Sequence, residues 1–449
     1  MRYEELYHIF RAYDIRGIFN RDLTVDVVAR IGMAVATYSH TPYAVGGDTR
    51  GSTPAIKHAL ISGMLAAGVD VYDIGITPIG VAMYANVHKG LGMAYVTASH
   101  LPPEWNGIKL CRPNGDPMVG DDIYRIRDIF MDKYGEIVKA DYKGTGKYMK
   151  YDLMEEYAGF IKELAEGTGV KVVVDCCNGA TSLLVPRLYR DIGHKVIGIN
   201  CDVDPRFPAR GSEPEPELLG KLSREVVENK FQAGVAFDGD GDRTLFVDEK
   251  GRILSAEQAA IVMLEGMGKG DVVANVECSM IIDEYVKEYG GRIYRVPVGR
   301  TYMIREMIRR NAKLGVESSG HYVVKGNANM DDGILTSIYY LDAVANLGGE
   351  VADIVPPKYP FKKIKLPVDD AIKFKIVDSL KERYVNEYSS VETIDGVRVN
   401  LDNGWVLIRP SNTEPLIRIT VEATSERILD KLLASFRREV EEEARKLKV

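Results

Sequence analysis

Three separate stretches of this chain share one local grammar, and that repetition limits the fold more than any other feature. Ala66-Ala67-Gly68-Val69-Asp70-Val71-Tyr72-Asp73-Ile74-Gly75, Asp191-Ile192-Gly193-His194-Lys195-Val196-Ile197-Gly198-Ile199 and Tyr289-Gly290-Gly291-Arg292-Ile293-Tyr294-Arg295-Val296 each pass from a helical pattern through glycine into a short β-rich run. Glycine there suits the positive φ of a helix C-cap, and the β-branched alternation that follows starts a strand. Two further runs, Val170-Lys171-Val172-Val173-Val174-Asp175 and Ala233-Gly234-Val235-Ala236-Phe237-Asp238, are apolar and end on an acidic residue, as strands buried on both faces do. Alternation with helices predicts three α/β units of similar build with mixed or parallel sheets, whose strand ends gather the chemistry.

A length of 449 residues exceeds one ordinary core and predicts about three or four domains. Linker candidates are Lys139 to Gly146, rich in Lys and Gly, and Pro356-Pro357-Lys358-Tyr359-Pro360, whose prolines forbid helix or central strand. The second sets off a small α+β domain with strand-like Gly396 to Leu401, Gly404 to Arg409 and Leu416 to Val421. An amphipathic helix from about Ser425 to Leu447, with Ile428, Leu432, Leu433 and Phe436 on one face, closes it. The domains expected are 1–140, 147–250, 251–355 and 361–449.

Hydrophobic content of 45% and charged content of 27% describe an ordinary globular chain rather than a disordered one. A formal charge of −7 with scattered Lys and Arg gives no basic field for nucleic acid or an anionic membrane, so any phosphate must be captured locally. The opening Met1-Arg2-Tyr3-Glu4-Glu5 precedes no long apolar run, and no stretch approaches ~18 apolar residues, which predicts a cytoplasmic protein. Cys111, Cys176, Cys177, Cys201 and Cys278 match neither zinc spacing nor a disulfide framework and are expected reduced. Only Gln232 and Gln258 represent glutamine, a bias of thermophile proteins.

Four motifs could carry chemistry. Asp238-Gly239-Asp240-Gly241-Asp242-Arg243 sets three carboxylates at alternate positions, with glycines letting the backbone curl, and can converge them on one hard divalent cation. Asp238, Asp240, Asp242 and Glu249 also fall at EF-hand positions, but Arg243 stands where that loop needs glycine and the flanks read as strands. Thr97-Ala98-Ser99-His100-Leu101-Pro102-Pro103 follows the strand-like Met93 to Val96 and offers a hydroxyl beside an imidazole, a nucleophile or phosphate carrier. No G-x-S-x-G accompanies it, which argues against a serine hydrolase. Gly315-Val316-Glu317-Ser318-Ser319-Gly320-His321 could bind sugar hydroxyls, and Arg409-Pro410-Ser411-Asn412-Thr413-Glu414-Pro415 could nest an anion.

In this order, the four motifs resemble the α-D-phosphohexomutase family, specifically its phosphomannomutase/phosphoglucomutase branch of archaeal type. Phe10-Arg11-Ala12-Tyr13-Asp14-Ile15-Arg16-Gly17, Asp48-Thr49-Arg50 and Asp73-Ile74-Gly75-Ile76-Thr77-Pro78 extend the likeness over nearly the whole chain. The resemblance implies a heart-shaped protein of four domains, the first three sharing an α/β topology and the last a small α+β domain. It implies phosphorylation of Ser99, and one Mg2+ per chain held by Asp238, Asp240, Asp242 and the Ser99 phosphate. Arg16, His100, Lys109 and Arg243 would serve catalysis. Tyr13, Gly299, Glu317, Ser319 and His321 would meet the sugar, and Arg409, Ser411, Asn412, Thr413 and Arg418 its non-reacting phosphate. The implied reaction interconverts hexose 1- and 6-phosphates of glucose or mannose, with the 1,6-bisphosphate as intermediate and activator. The phosphosugar is the expected partner, and a homo-oligomer is left open.

The chain departs from the family pattern at three places. Leu101 stands where Asn usually follows Ser-His, Gly46-Gly47-Asp48 replaces Gly-Arg-Asp, and Val296-Pro297-Val298-Gly299-Arg300 lacks the expected threonine and acidic residue. These touch substrate identity rather than reaction type. Asn412 favours the mannose/glucose branch over the glucosamine one, and the alternatives on the same fold are a phosphopentomutase or a phosphoglucosamine mutase. A metal-dependent sugar phosphatase, or a calcium or sugar-phosphate binding module, are the readings from other classes.

Overall fold

A computed structural model describes residues 3–325, 330–411 and 414–447. The chain forms two compact units, one from Met1–Leu254, Val262–Gly268 and Gly320–Asp353, the other from Ser255–Ile261, Lys269–Ser319 and Ile354–Val449.

In the first unit, a six-stranded sheet runs in the order Ile15–Ile18, Trp105–Cys111, Gly92–Val96, Tyr43–Gly47, Val71–Ile76, Tyr148–Lys150. Tyr43–Gly47 lies parallel to both of its neighbours, and Trp105–Cys111 antiparallel to both of its own. Every residue of Tyr43–Gly47 and Gly92–Val96 is buried, the signature of strands covered on two faces. A second sheet runs Thr244–Val247, Ala233–Phe237, Lys171–Asp175, Lys195–Ile199, with only the Thr244–Val247 pairing antiparallel.

The second unit pairs Val272–Asn275 in parallel with Ile293–Val296 and Leu314–Val316. Its five-stranded antiparallel sheet runs Phe361–Pro367, Leu416–Ala423, Gly404–Pro410, Val397–Leu401, Val391–Glu392. Helices Lys373–Glu387 and Glu426–Lys446 share the core of that sheet through Ile376, Leu380, Leu429, Phe436 and Val440. Ser425 caps the closing helix by accepting the Ile428 amide.

The repeated grammar is realised three times. Gly68, Gly193 and Gly290 all have positive φ, each just past a helix and ahead of Val71–Ile76, Lys195–Ile199 and Ile293–Val296 respectively. Strand Phe361–Pro367 and helix Lys373–Glu387 are additions that the sequence reading did not include.

One expectation is corrected. Cys176 and Cys201 form a disulfide with Cα atoms 4.9 Å apart, while Cys111, Cys177 and Cys278 are buried free thiols. Parallel pairing of Asp175 with Ile199 delivers the two half-cystines side by side, a consequence of register that spacing along the chain does not reveal. No helix among the described residues is long and apolar enough to cross a membrane.

Candidate active site

The site in the first unit grows from two strand ends. Gly92–Val96 runs into Thr97-Ala98-Ser99, and the chain returns antiparallel along Trp105–Cys111, which sets Lys109 opposite Tyr95. Ser99 sits in the left-handed region at φ 52° and is only 2% exposed. Its amide donates to Thr97 Oγ1 at 2.8 Å, and its hydroxyl donates to Asp238 Oδ2 at 2.8 Å. His100 Nδ1 lies 3.4 Å from the same hydroxyl. Burial, followed by the charges of Arg243 and Arg16, pushes the His100 imidazole down to about 3, so it is neutral at pH 7.

Asp238 to Asp242 fill the turn between Ala233–Phe237 and Thr244–Val247, strands rather than the helices an EF-hand needs. Glu249, the twelfth EF-hand position, instead accepts the amides of Val351 and Ala352. Asp238 Oδ1 accepts the amides of Gly241 at 2.9 Å and Arg243 at 3.2 Å, so the loop curls around its own first carboxylate. Gly241 supplies the turn at φ 87°, and a Cβ on Gly239 would meet Ser99 O at 2.9 Å. The two loops are packed backbone to backbone.

Asp238, Asp240 and Asp242 are buried and bring carboxylate oxygens within 4.8 Å of one another. Lys109 Nζ donates to Asp240 Oδ2 at 2.8 Å and Asp242 Oδ2 at 2.5 Å. One ammonium faces three carboxylates. Burial and then the charges of Asp240 and Asp242 raise the Asp238 carboxyl well above its ordinary range. Asp240 Oδ1 has no hydrogen-bond partner among the described residues. An oxygen-only donor set with surplus negative charge and an orphaned buried oxygen fits a hard divalent cation.

Around this cluster, Arg243 Nε donates to His321 Nε2 at 3.1 Å and Nη1 to Glu213 Oε1 at 3.0 Å. His321 Nδ1 lies 3.3 Å from Asp331 Oδ2 and 4.0 Å from Asp242 Oδ1. Arg16, on strand Ile15–Ile18, is held by Asp14 at 2.6 Å. Tyr13, just before that strand, is exposed. Thus Ser99, His100, Lys109, Arg16, Arg243, His321 and the three aspartates share one unit. Glu213 and Asp331 belong to this neighbourhood too, and neither carries a motif that singles it out.

The second unit holds the other predicted residues. Gly299, at φ 134°, precedes helix Arg300–Arg310. Glu317 follows strand Leu314–Val316 and is buried, its Oε2 without a hydrogen-bond partner among the described residues; Ser319 is exposed. Cross-strand register sets Arg418 directly opposite Arg409 on one side and Lys365 on the other, a row of three cations on one face. Glu277 and Asp395 hold the Arg409 guanidinium at 2.9 and 2.8 Å, and Glu414 takes Arg418 at 3.2 Å. Asp395 also accepts the Val298 amide at 3.0 Å, tying the Gly299 loop to Arg409. The Nε atoms of Arg409 and Arg418 are buried without a hydrogen-bond partner among the described residues. Two pre-aligned guanidinium groups with open donors suit a phosphate. Ser411 is buried and accepts the Glu414 amide at 3.1 Å; Asn412 and Thr413 lie outside the described residues. Lys365, Glu277 and Asp395 escaped the sequence reading because strand pairing alone sets Lys365 opposite Arg418, and packing between distant segments brings Glu277 and Asp395 to Arg409.

Family models match along the chain: phosphoglucomutase/phosphomannomutase alpha/beta/alpha domain I over residues 8–135, domain II over 154–251, domain III over 253–359 and the C-terminal domain over 364–439. A "probable phosphoglucosamine mutase" of Methanopyrus kandleri is 35% identical, covering 96% of this chain and 98% of its own. A "phosphoglucomutase/phosphomannomutase" of Thermococcus kodakarensis is 34% identical, covering 93% and 95%. Among solved structures, a phosphoglucomutase/phosphomannomutase family protein from Burkholderia thailandensis superposes with a TM-score of 0.88 at 29% identity, covering 97% of each chain.

Proposed function

Because this chain belongs to the phosphoglucomutase/phosphomannomutase family of phosphohexomutases, we propose that it interconverts the 1- and 6-phosphates of glucose and mannose through phospho-Ser99. The observation that carries the reading is the Ser99 hydroxyl, 2.8 Å from Asp238 at the edge of the three-carboxylate cluster. A serine there can pass a phosphoryl group without leaving the cation's reach.

Phosphoryl transfer asks the protein for alignment and charge neutralisation more than for covalent chemistry. A magnesium ion held by Asp238, Asp240 and Asp242 would neutralise charge on the phosphoryl oxygens. Lys109 supplies a buried ammonium at the same cluster, and Arg243 a guanidinium beside it. The P–O bond to Ser99 Oγ breaks as a P–O bond forms to the free sugar hydroxyl, whose proton must leave. His321, whose Nε2 accepts from Arg243 Nε and whose Nδ1 lies 3.3 Å from Asp331 Oδ2, would hold the Arg243 guanidinium beside the reacting phosphate. His100, depressed to about 3 by burial and neighbouring cations, is a poor base and better suited to hydrogen-bonding Ser99. The bisphosphate then turns over and returns its other phosphate to Ser99. Arg409, Arg418 and Ser411, with Asn412 and Thr413, would grip the phosphate that is not reacting, and Tyr13, Gly299, Glu317 and Ser319 the sugar.

Turnover of glucose 1-phosphate, mannose 1-phosphate, glucosamine 1-phosphate and ribose 1-phosphate, each with magnesium and a trace of glucose 1,6-bisphosphate, tests the reading. Glucose and mannose should fall within about tenfold of each other in kcat/KM and exceed the other two by at least about tenfold. Glucosamine 1-phosphate as the preferred substrate would instead move the chain to the activity for which the Methanopyrus relative is named. Arg409→Ala is expected to raise KM for either hexose phosphate about 10- to 100-fold, the worth of a lost charge-assisted pair, with a smaller change in kcat. An unchanged KM would remove Arg409 from the phosphate grip.

A further inference from the structure

Arg50 is almost entirely buried, 1% exposed, yet it touches no carboxylate of the metal cluster. Its guanidinium spends every donor elsewhere. Nη1 donates to the carbonyls of Pro102 at 2.6 Å and Trp105 at 3.2 Å, and Nη2 to those of Ser99 at 2.7 Å and Leu101 at 2.6 Å. Nε donates to Asp48 Oδ2 at 3.0 Å. All five N–H groups of an arginine are thereby used, four of them on one seven-residue loop. The Phe207 ring lies 5.2 Å from the guanidinium carbon and closes its face.

Asp48 fixes the arginine in turn. Oδ1 accepts the Arg50 amide at 3.1 Å and the Thr53 hydroxyl at 2.8 Å, while Oδ2 lies 2.8 Å from Thr97 Oγ1. Thr97 Oγ1 accepts the Ser99 amide and stands 2.9 Å from Asp240 Oδ2. Ser99 is therefore held at both ends of its peptide unit, the amide by Thr97 and the carbonyl by Arg50. Its left-handed backbone, at φ 52°, is one a serine keeps only when its surroundings impose it.

We infer that Arg50, braced by Asp48, is the positioning residue that clamps the Ser99 loop so that Oγ faces the carboxylate cluster. The inference rests on the mutase reading above. Phosphorylated Ser99 would gain and lose about −1.5 to −2 charge in each cycle. Bonds from Arg50 to backbone carbonyls do not depend on that charge, so the loop can hold still while its cargo changes. Lysine cannot reproduce the arrangement, because its three donors radiate from one point rather than a planar fork.

The test compares full-length wild type, Arg50→Lys and Asp48→Asn by glucose 1-phosphate kinetics and by amide hydrogen exchange over residues 98–106. Arg50→Lys should lower kcat about a hundredfold, the cost of misplacing a reacting atom by about 1 Å, with KM within threefold of wild type. Exchange over 98–106 should accelerate at least about tenfold while the helix Val25–Tyr38 keeps its protection. Asp48→Asn, which leaves the four carbonyl bonds in place, should act in the same direction at about a tenth of the size, and decides the matter if Arg50→Lys does not fold. Unaltered kcat, a loss confined to KM, or lost kcat with unchanged exchange would each overturn the clamp. A wild type that turns over no sugar phosphate would sink the mutase reading instead, and the exchange contrast would still judge the clamp on its own.

Discussion

Ser99→Ala should lower mutase turnover at least about a thousandfold without disturbing the fold. The side chain contributes one hydroxyl, donated to Asp238 Oδ2, and the loop around it is held by backbone contacts that alanine keeps. Without Oγ there is no acceptor for a phosphoryl group, and neither half of the cycle can begin. Intact mass spectrometry after incubation with glucose 1,6-bisphosphate should show one added phosphoryl group on the wild type and none on the variant. Retention of more than a tenth of wild-type kcat would remove the carrier role from Ser99.

Asp238→Asn is expected to separate stability from activity. Burial and the charges of Asp240 and Asp242 raise the Asp238 carboxyl in the folded chain. The folded state therefore holds that proton more tightly than the unfolded one, and the stability this group contributes is present below the ordinary carboxylate value and lost as pH rises above it. In chelator, with the pH raised above the ordinary carboxylate value, the wild type bears that loss and the uncharged amide does not, so the variant should melt no lower. Added magnesium should reverse the order, raising the wild-type Tm through binding to the folded state while leaving the variant unmoved. Turnover of the variant should fall at least about a thousandfold, as expected when a charge-neutralising cation is lost from phosphoryl transfer. Full magnesium-induced stabilisation in Asp238→Asn would show that the cation binds elsewhere.

How much of this was legible beforehand varies from residue to residue. Gly68, Gly193 and Gly290 announced three helix-to-strand passages because a positive φ is a local demand that few residues meet. The aspartates at 238, 240 and 242 announced a carboxylate cluster able to hold a cation because their convergence needs only a turn, and the apolar runs on either side were strands as read. Arg50 gave no such sign. Its four carbonyl partners lie 49 to 55 positions away, and nothing in Asp48-Thr49-Arg50 says that strand Tyr43–Gly47 will sit beside Gly92–Val96. The disulfide between Cys176 and Cys201 was missed for the same reason, as was the pairing of His321 with Asp331.

The sequence by itself determined where the three helix-to-strand passages fall, and which turns carry a hydroxyl, three carboxylates or an arginine beside hydroxyls, because turn geometry, capping and hydrophobic alternation act over a few neighbouring residues. Tertiary structure alone decided that the Ser99 hydroxyl meets Asp238 from 139 positions away, that one lysine bridges Asp240 and Asp242, and that Arg409 and Arg418 stand opposite each other. Those pairings depend on strand order and register, which arise from packing whole faces together, and no stretch of chain carries that information alone.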